Sequence, residues 1–113
     1  MRIAFENCGK IRITTDVDHQ YIDVELYYHK GGWNCFTCRE ELRGYYVSVQ
    51  PIRVERNMYS FMAFSGRKMC LSECSRKSGK AEREAVKAVI DRQSEIIAMI
   101  KAVAKKNGLE VSI

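Results

Sequence analysis

The sequence predicts an α+β domain: an antiparallel β-meander packed against one long C-terminal amphipathic helix. Period-two alternation recurs through about residues 2–72, breaks bearing Gly and Asn separate the runs, and an apolar stripe at steps of three and four follows at about 79–106. With 113 residues, 46% of them hydrophobic, the chain has enough material for one core and reads as a single domain, 1–113.

In "RIAFE", Ile3 and Phe5 face one way, as a first strand would place them. Asn7-Cys8-Gly9 signals a turn into "KIRITT", where Ile11 and Ile13 repeat the pattern. "YIDVELYY" sends Ile22, Val24, Leu26 and Tyr28 inward and Tyr21, Asp23, Glu25 and Tyr27 outward. Gly31-Gly32 breaks that run. "GYYVSVQPIRVER" sets Val47 and Val49 on one face and Tyr46, Ser48 and Gln50 on the other. Pro51 has no N–H to give a ladder, so it marks a bend, an edge or an end. "MYSFMAF" is apolar on both faces, "SGRK" supplies the next turn, and "KMCLS" continues the sheet.

The helix rests on Val86, Val89, Ile96, Ile100 and Val103, with Gln93 the one polar member of the seam and Ile90, Ile97 and Ala104 widening it. Glu82 and Glu84 in the first turn and Lys101, Lys105 and Lys106 in the last complement the helix dipole. Asn107-Gly108 stops it, and "LEVSI" is a candidate short strand. A helix over about 79–106 is about 40 Å long, whereas a sheet of four or five strands is about 20 Å across. The stripe therefore outruns the sheet, and a homodimer through the C-terminal helix is expected.

The net charge is +5, and its location carries more information than its size. Residues 1–38 balance to −1 and residues 81–113 to +1, whereas 39–80 hold nine Lys/Arg against four Asp/Glu. Charge gathered in one segment is what a nucleic acid or another polyanion requires; a solvated, mildly basic surface is the alternative. No run approaches the roughly 18 apolar residues of a membrane span. The opening "MRIAFENCGK" has no apolar h-region, and five cysteines without a secretion signal suit a reducing compartment, so a cytoplasmic protein with no membrane partner is expected.

Cys35-x2-Cys38 and Cys70-x3-Cys74 invite a zinc reading, since four thiolates from two tight turns suit a tetrahedral ion. Neither pair is followed by the glycine that turns backbone N–H groups toward sulfur, and alternation places Cys70 inside a strand, where a thiol packs as a small hydrophobe. "WNCFTCREE" has a redox look, but that chemistry belongs on a βαβ framework and only strand patterns precede Gly31. The cysteines thus read as turns and packing positions, with no metal and no cofactor. His19 and His29 offer no nucleophile–base grouping, so an enzyme is not expected.

All eleven aromatics precede residue 65. With the helix on one sheet face, the outward residues of the central strands are expected to stay exposed. The candidate nucleic-acid-binding set is Arg43, Tyr46, Ser48, Gln50, Arg53, Tyr59, Arg67 and Lys68. Bases stack on rings while Arg and Lys hold phosphates, the requirement for single-strand binding. "GRKMCLSE", Gly66 to Glu73, after curved strands and before a long helix, resembles the "GRKGISLS" segment of the PC4-like and Whirly single-stranded DNA-binding families. That resemblance implies an antiparallel sheet, a helix that dimerises and sheet-borne contacts to single-stranded DNA. "YYVSVQP" and "MAFSGRK" also resemble stretches of small proteins of bacterial mobile elements, which implies no activity. The rival function is a protein-interaction module whose basic face meets an acidic partner.

Overall fold

The computed structural model describes residues 2–34, 39–55, 58–61 and 66–113, with backbone alone for Asn34, Arg39 and 58–61. The fold is the expected α+β arrangement of an antiparallel meander with helices packed on it. Strands β1 (Gly9–Thr14), β2 (Gln20–His29), β5 (Gly44–Glu55), β6 (Met58–Phe61) and β7 (Arg67–Glu73) form one sheet in the order β1-β2-β5-β6, with β7 also on β5. Among the described residues, strands β3 (Gly32–Asn34) and β4 (Arg39–Glu41) pair with each other alone, as a two-stranded ribbon between β2 and β5 in the chain. Helices α1 (Gly79–Asp91) and α2 (Gln93–Lys106) follow.

Alternation fixes the register. Val24 lies opposite Val49 and Leu26 opposite Val47, while Ile13 meets Ile22 and Met69 meets Val47. All of these but the half-buried Met69 are buried beneath Ala85, Val89, Ile96, Ile100 and Val103 of the helices. One edge of β5 changes partner along its length, from β7 over Gly44–Val49 to β6 over Ile52–Glu55. Gln50 and Pro51 fall in the gap, so the missing N–H of Pro51 costs that ladder nothing. A bulge opposite Tyr45 and Tyr46 inserts Leu71 into β7, which leaves Leu71 against the core and turns Cys70 toward the Tyr46 side.

Three expectations change. "RIAFE" is not a strand: Ile3 is only 1% exposed, but its backbone bonds to a side chain. The Gln93 amide accepts from Ile3 N–H at 2.8 Å and donates to Ile3 C=O, a two-point clamp in place of a ladder. "LEVSI" is not a strand either; the tail returns to the β1–β2 turn, with Asp16 N–H donating to Glu110 C=O at 3.1 Å and Glu110 N–H to the Asp16 carboxylate at 2.7 Å.

The single helix is the third correction. It breaks at Arg92 (φ −109°, ψ 31°), beside the same Gln93, whose side chain donates to Val89 C=O at 3.0 Å and so takes an acceptor of the preceding turn. A side chain inserted into the i→i−4 ladder is a recognised cause of a kink. Strand β5, with 12 residues, is itself about 40 Å long at about 3.3 Å per residue. The two half-helices thus find cover within one chain, and Val89, Ile96, Ile100 and Val103 are each 0% exposed. The overhang that motivated a dimer through this stripe is absent.

Gln93→Leu should keep the helices but leave the N–H and C=O of Ile3 unpaired in a dry site. Denaturant unfolding should show a loss of about 1–3 kcal/mol, the penalty for orphaned buried polar groups. A loss below about 0.5 kcal/mol, the range of inert surface changes, would mean that the clamp is incidental.

Candidate functional site

The face of the sheet away from the helices is covered along the centre of β5. Tyr46 and Ser48 are 7% and 6% exposed, and Ile52 and Asp23 are buried too. The expectation that Tyr46 and Ser48 stand open to solvent is therefore corrected; Gln50 is half-buried. The reason is charge pairing and ring packing across the strands. Arg12 of β1 makes a fork to Asp23 of β2, with N–O distances of 2.9 and 3.0 Å, and lies 5.2 Å from the Tyr21 ring centroid. A buried carboxylate needs such a partner, because leaving it bare costs several kcal/mol.

At the ribbon end of this face stands a second group. Glu41 of β4, its side chain 7% exposed, accepts from Lys68 Nζ and lies 3.7 Å from His29 Nε2. Tyr46 stacks with Tyr27 at 6.0 Å, meets His29 edge-on at 5.8 Å, and has Lys68 Nζ 5.5 Å from its ring centroid. The Tyr46 hydroxyl donates to Leu42 C=O at 2.8 Å. Burial pushes both phenols up to about 12, with the Cys70 thiol the next cause at Tyr46 and the Glu41 charge at Tyr27, so both rings stay neutral at physiological pH.

The eight expected residues do not form one patch. Tyr46, Ser48 and Lys68 gather on the covered face, where Ser48 pairs with Lys68 in the register. Gln50 lies behind the close approach of Gly66, whose ideal Cβ would sit 2.8 Å from Gln50 Oε1. Arg67 is exposed at the start of β7. Arg53 is exposed at the far end of β5, 3.9 Å from Glu55. The Tyr59 side chain lies outside the described residues. Arg43 is exposed at the near end and donates to Ser75 C=O at 3.2 Å.

That last bond gathers what sequence reasoning missed. Two clefts, of about 280 and 440 Å³, share Leu42 and Arg43 as lining. On one side stands the ribbon, with Trp33 69% and Leu42 61% exposed. On the other, the β7–α1 connection carries exposed Arg76 and Lys77, followed by exposed Lys80 in the first turn of α1. Arg43 joins the two. Gly31 and Gly32, at φ 82° and 94°, turn the chain into the ribbon, so the Gly-Gly pair was the available signal.

Of the paired thiols, Cys35 and Cys38 lie outside the described residues. Cys70 faces Tyr46, and Cys74 N–H donates to Arg43 C=O at 3.1 Å. Among the described residues no three Cys, His, Asp or Glu side chains are placed to hold a metal ion, and no helix is long and apolar enough to cross a membrane. No family model, curated protein or solved structure is significantly similar to this chain.

Cys8 shows the character of the thiols. Burial first, then a hydrogen bond to the Glu82 carboxylate, raises it to about 12, while the same bond holds Glu82 low. A thiol so raised carries almost no thiolate near pH 8, and alkylation needs the thiolate. Iodoacetamide at that pH should label Cys8 at least about tenfold more slowly than free cysteine, with Glu82→Gln relieving part of the block. Labelling at the free-cysteine rate would remove the hydrogen bond from the account.

Proposed function

We propose that the protein binds single-stranded nucleic acid along the ribbon end of the sheet, with Arg43, Arg76, Lys77 and Lys80 on the backbone and Trp33 as a stacking ring. The observation that carries this reading is the Arg43–Ser75 bond, which ties the chain leaving the ribbon to the β7–α1 connection; Trp33 of the ribbon and Arg76 and Lys77 of the connection are exposed. Solvated cations meet a backbone phosphate without first giving up a partner, and a base needs an open ring face; Trp33 is 69% exposed where Tyr46 is 7%.

A second reading is favoured by one feature. Trp33 and Leu42 are large, exposed and apolar beside an arginine, the composition that anchors protein interfaces. An acidic protein partner is the alternative occupant of the same rim.

Anisotropy of labelled oligothymidylate in a salt series separates the two. Affinity should fall on a log–log plot with a slope of about 0.7 per phosphate neutralised. Replacing Arg43, Arg76 and Lys77 by Ala should flatten the slope by about two units if each holds one phosphate. Trp33→Ala should weaken binding by about 1–3 kcal/mol and leave the slope alone. Absence of binding at low salt would discard this reading and leave the protein partner.

A further inference from the structure

Glu41 occupies the position that a ligand anion would take. Its carboxylate is nearly dry, accepts from Lys68 Nζ and faces His29 Nε2. His29 Nδ1 accepts from Gly31 N–H at 2.9 Å, which assigns the proton of the neutral ring to Nε2, on the Glu41 side. Both donors, and the Tyr27 and Tyr46 rings beside them, belong to the five-stranded sheet. The carboxylate comes from the separate ribbon, which among the described residues has no strand ladder to that sheet and follows β2 through the positive-φ pair Gly31-Gly32. Cradle and occupant are thus two separately paired pieces of chain.

We propose that Lys68 and His29 form a phosphate site for the nucleic-acid backbone, with Glu41 its built-in competitor. The site rests on the nucleic-acid reading above and deepens it. A phosphate oxygen and a carboxylate oxygen are interchangeable acceptors for an ammonium and an imidazole N–H, so exchange leaves neither donor bare. The Glu41 charge is near enough to both phenols to raise them, so its departure vacates space beside the Tyr27–Tyr46 pair for a base next to the held phosphate. Tyr46 and Lys68 then act together. Affinity is correspondingly lowered in the resting protein, because the ligand must first displace an internal anion.

The test titrates labelled oligothymidylate into wild type, Glu41→Gln, Lys68→Met and the double variant, each checked for folding by circular dichroism. Glu41→Gln should bind severalfold tighter than wild type, and the double variant should lose that gain. In wild type, the His29 ring resonances should shift as the oligonucleotide saturates. Equal or weaker binding by folded Glu41→Gln, or a His29 ring unmoved at saturation, would overturn the site while leaving the rim reading standing. If Glu41→Gln does not fold, the His29 shift in wild type decides alone. If no form binds the oligonucleotide, the nucleic-acid reading is what fails, and inorganic pyrophosphate replaces it: a shifted His29 ring supports an anion site, and an unmoved ring overturns it.

Discussion

Strand β5 is buried on both sides from Tyr45 to Val49, and most of the architecture answers that constraint. A central strand with two dry faces requires two covers. The first is apolar: the kinked helix pair lies over Tyr45, Val47 and Val49. The second is polar and aromatic, and its charges must be paired to be tolerated there. Arg12 with Asp23, and Lys68 with Glu41, meet that demand at two places on the same face.

The two covers differ in what they can do. Under the helices the contacts are mostly apolar, with the Gln93 clamp and the Tyr45 hydroxyl's bond to Ser78 C=O as polar ties, and a change there chiefly loses stability. The opposite face is held by ion pairs, which a competing ion can replace. Exposed cations lie at its rim: Arg43 just before β5, Arg76 and Lys77 in the connection to α1. The functional proposals follow from this division, because a polyanion meets the exposed cations first and the paired ones only by exchange.

The sheet was legible because its strands are half-apolar and strictly alternating, so Ile22, Val24, Leu26, Val47 and Val49 declare the core face by themselves. The faces of Tyr46, Ser48 and Gln50 were read correctly, but not their exposure. Alternation tells which side a residue takes and nothing about what arrives on that side from a distant segment. The ribbon escaped notice because its strands have three residues each, too short for a periodic signal, and because the C-x-x-C that separates them in the sequence drew attention to chemistry instead. Gln93 was visible as the odd polar member of the apolar seam. Its partner, Ile3, is 90 residues away, and no local pattern joins the two. The motive for a dimer could not be judged from the helix alone: one strand as long as the helices removes the overhang.

The central claim is that the ribbon end of the sheet, and not the helical face, receives single-stranded nucleic acid. Photo-cross-linking with an oligonucleotide containing 4-thiothymidine, followed by peptide mapping, tests it directly. Cross-links should fall on Trp33 and on peptides carrying Arg43 and Ser75–Lys80, and free oligothymidylate should compete them away. Cross-links confined to the outer surface of α1 and α2, or none above a scrambled-charge control, would contradict it.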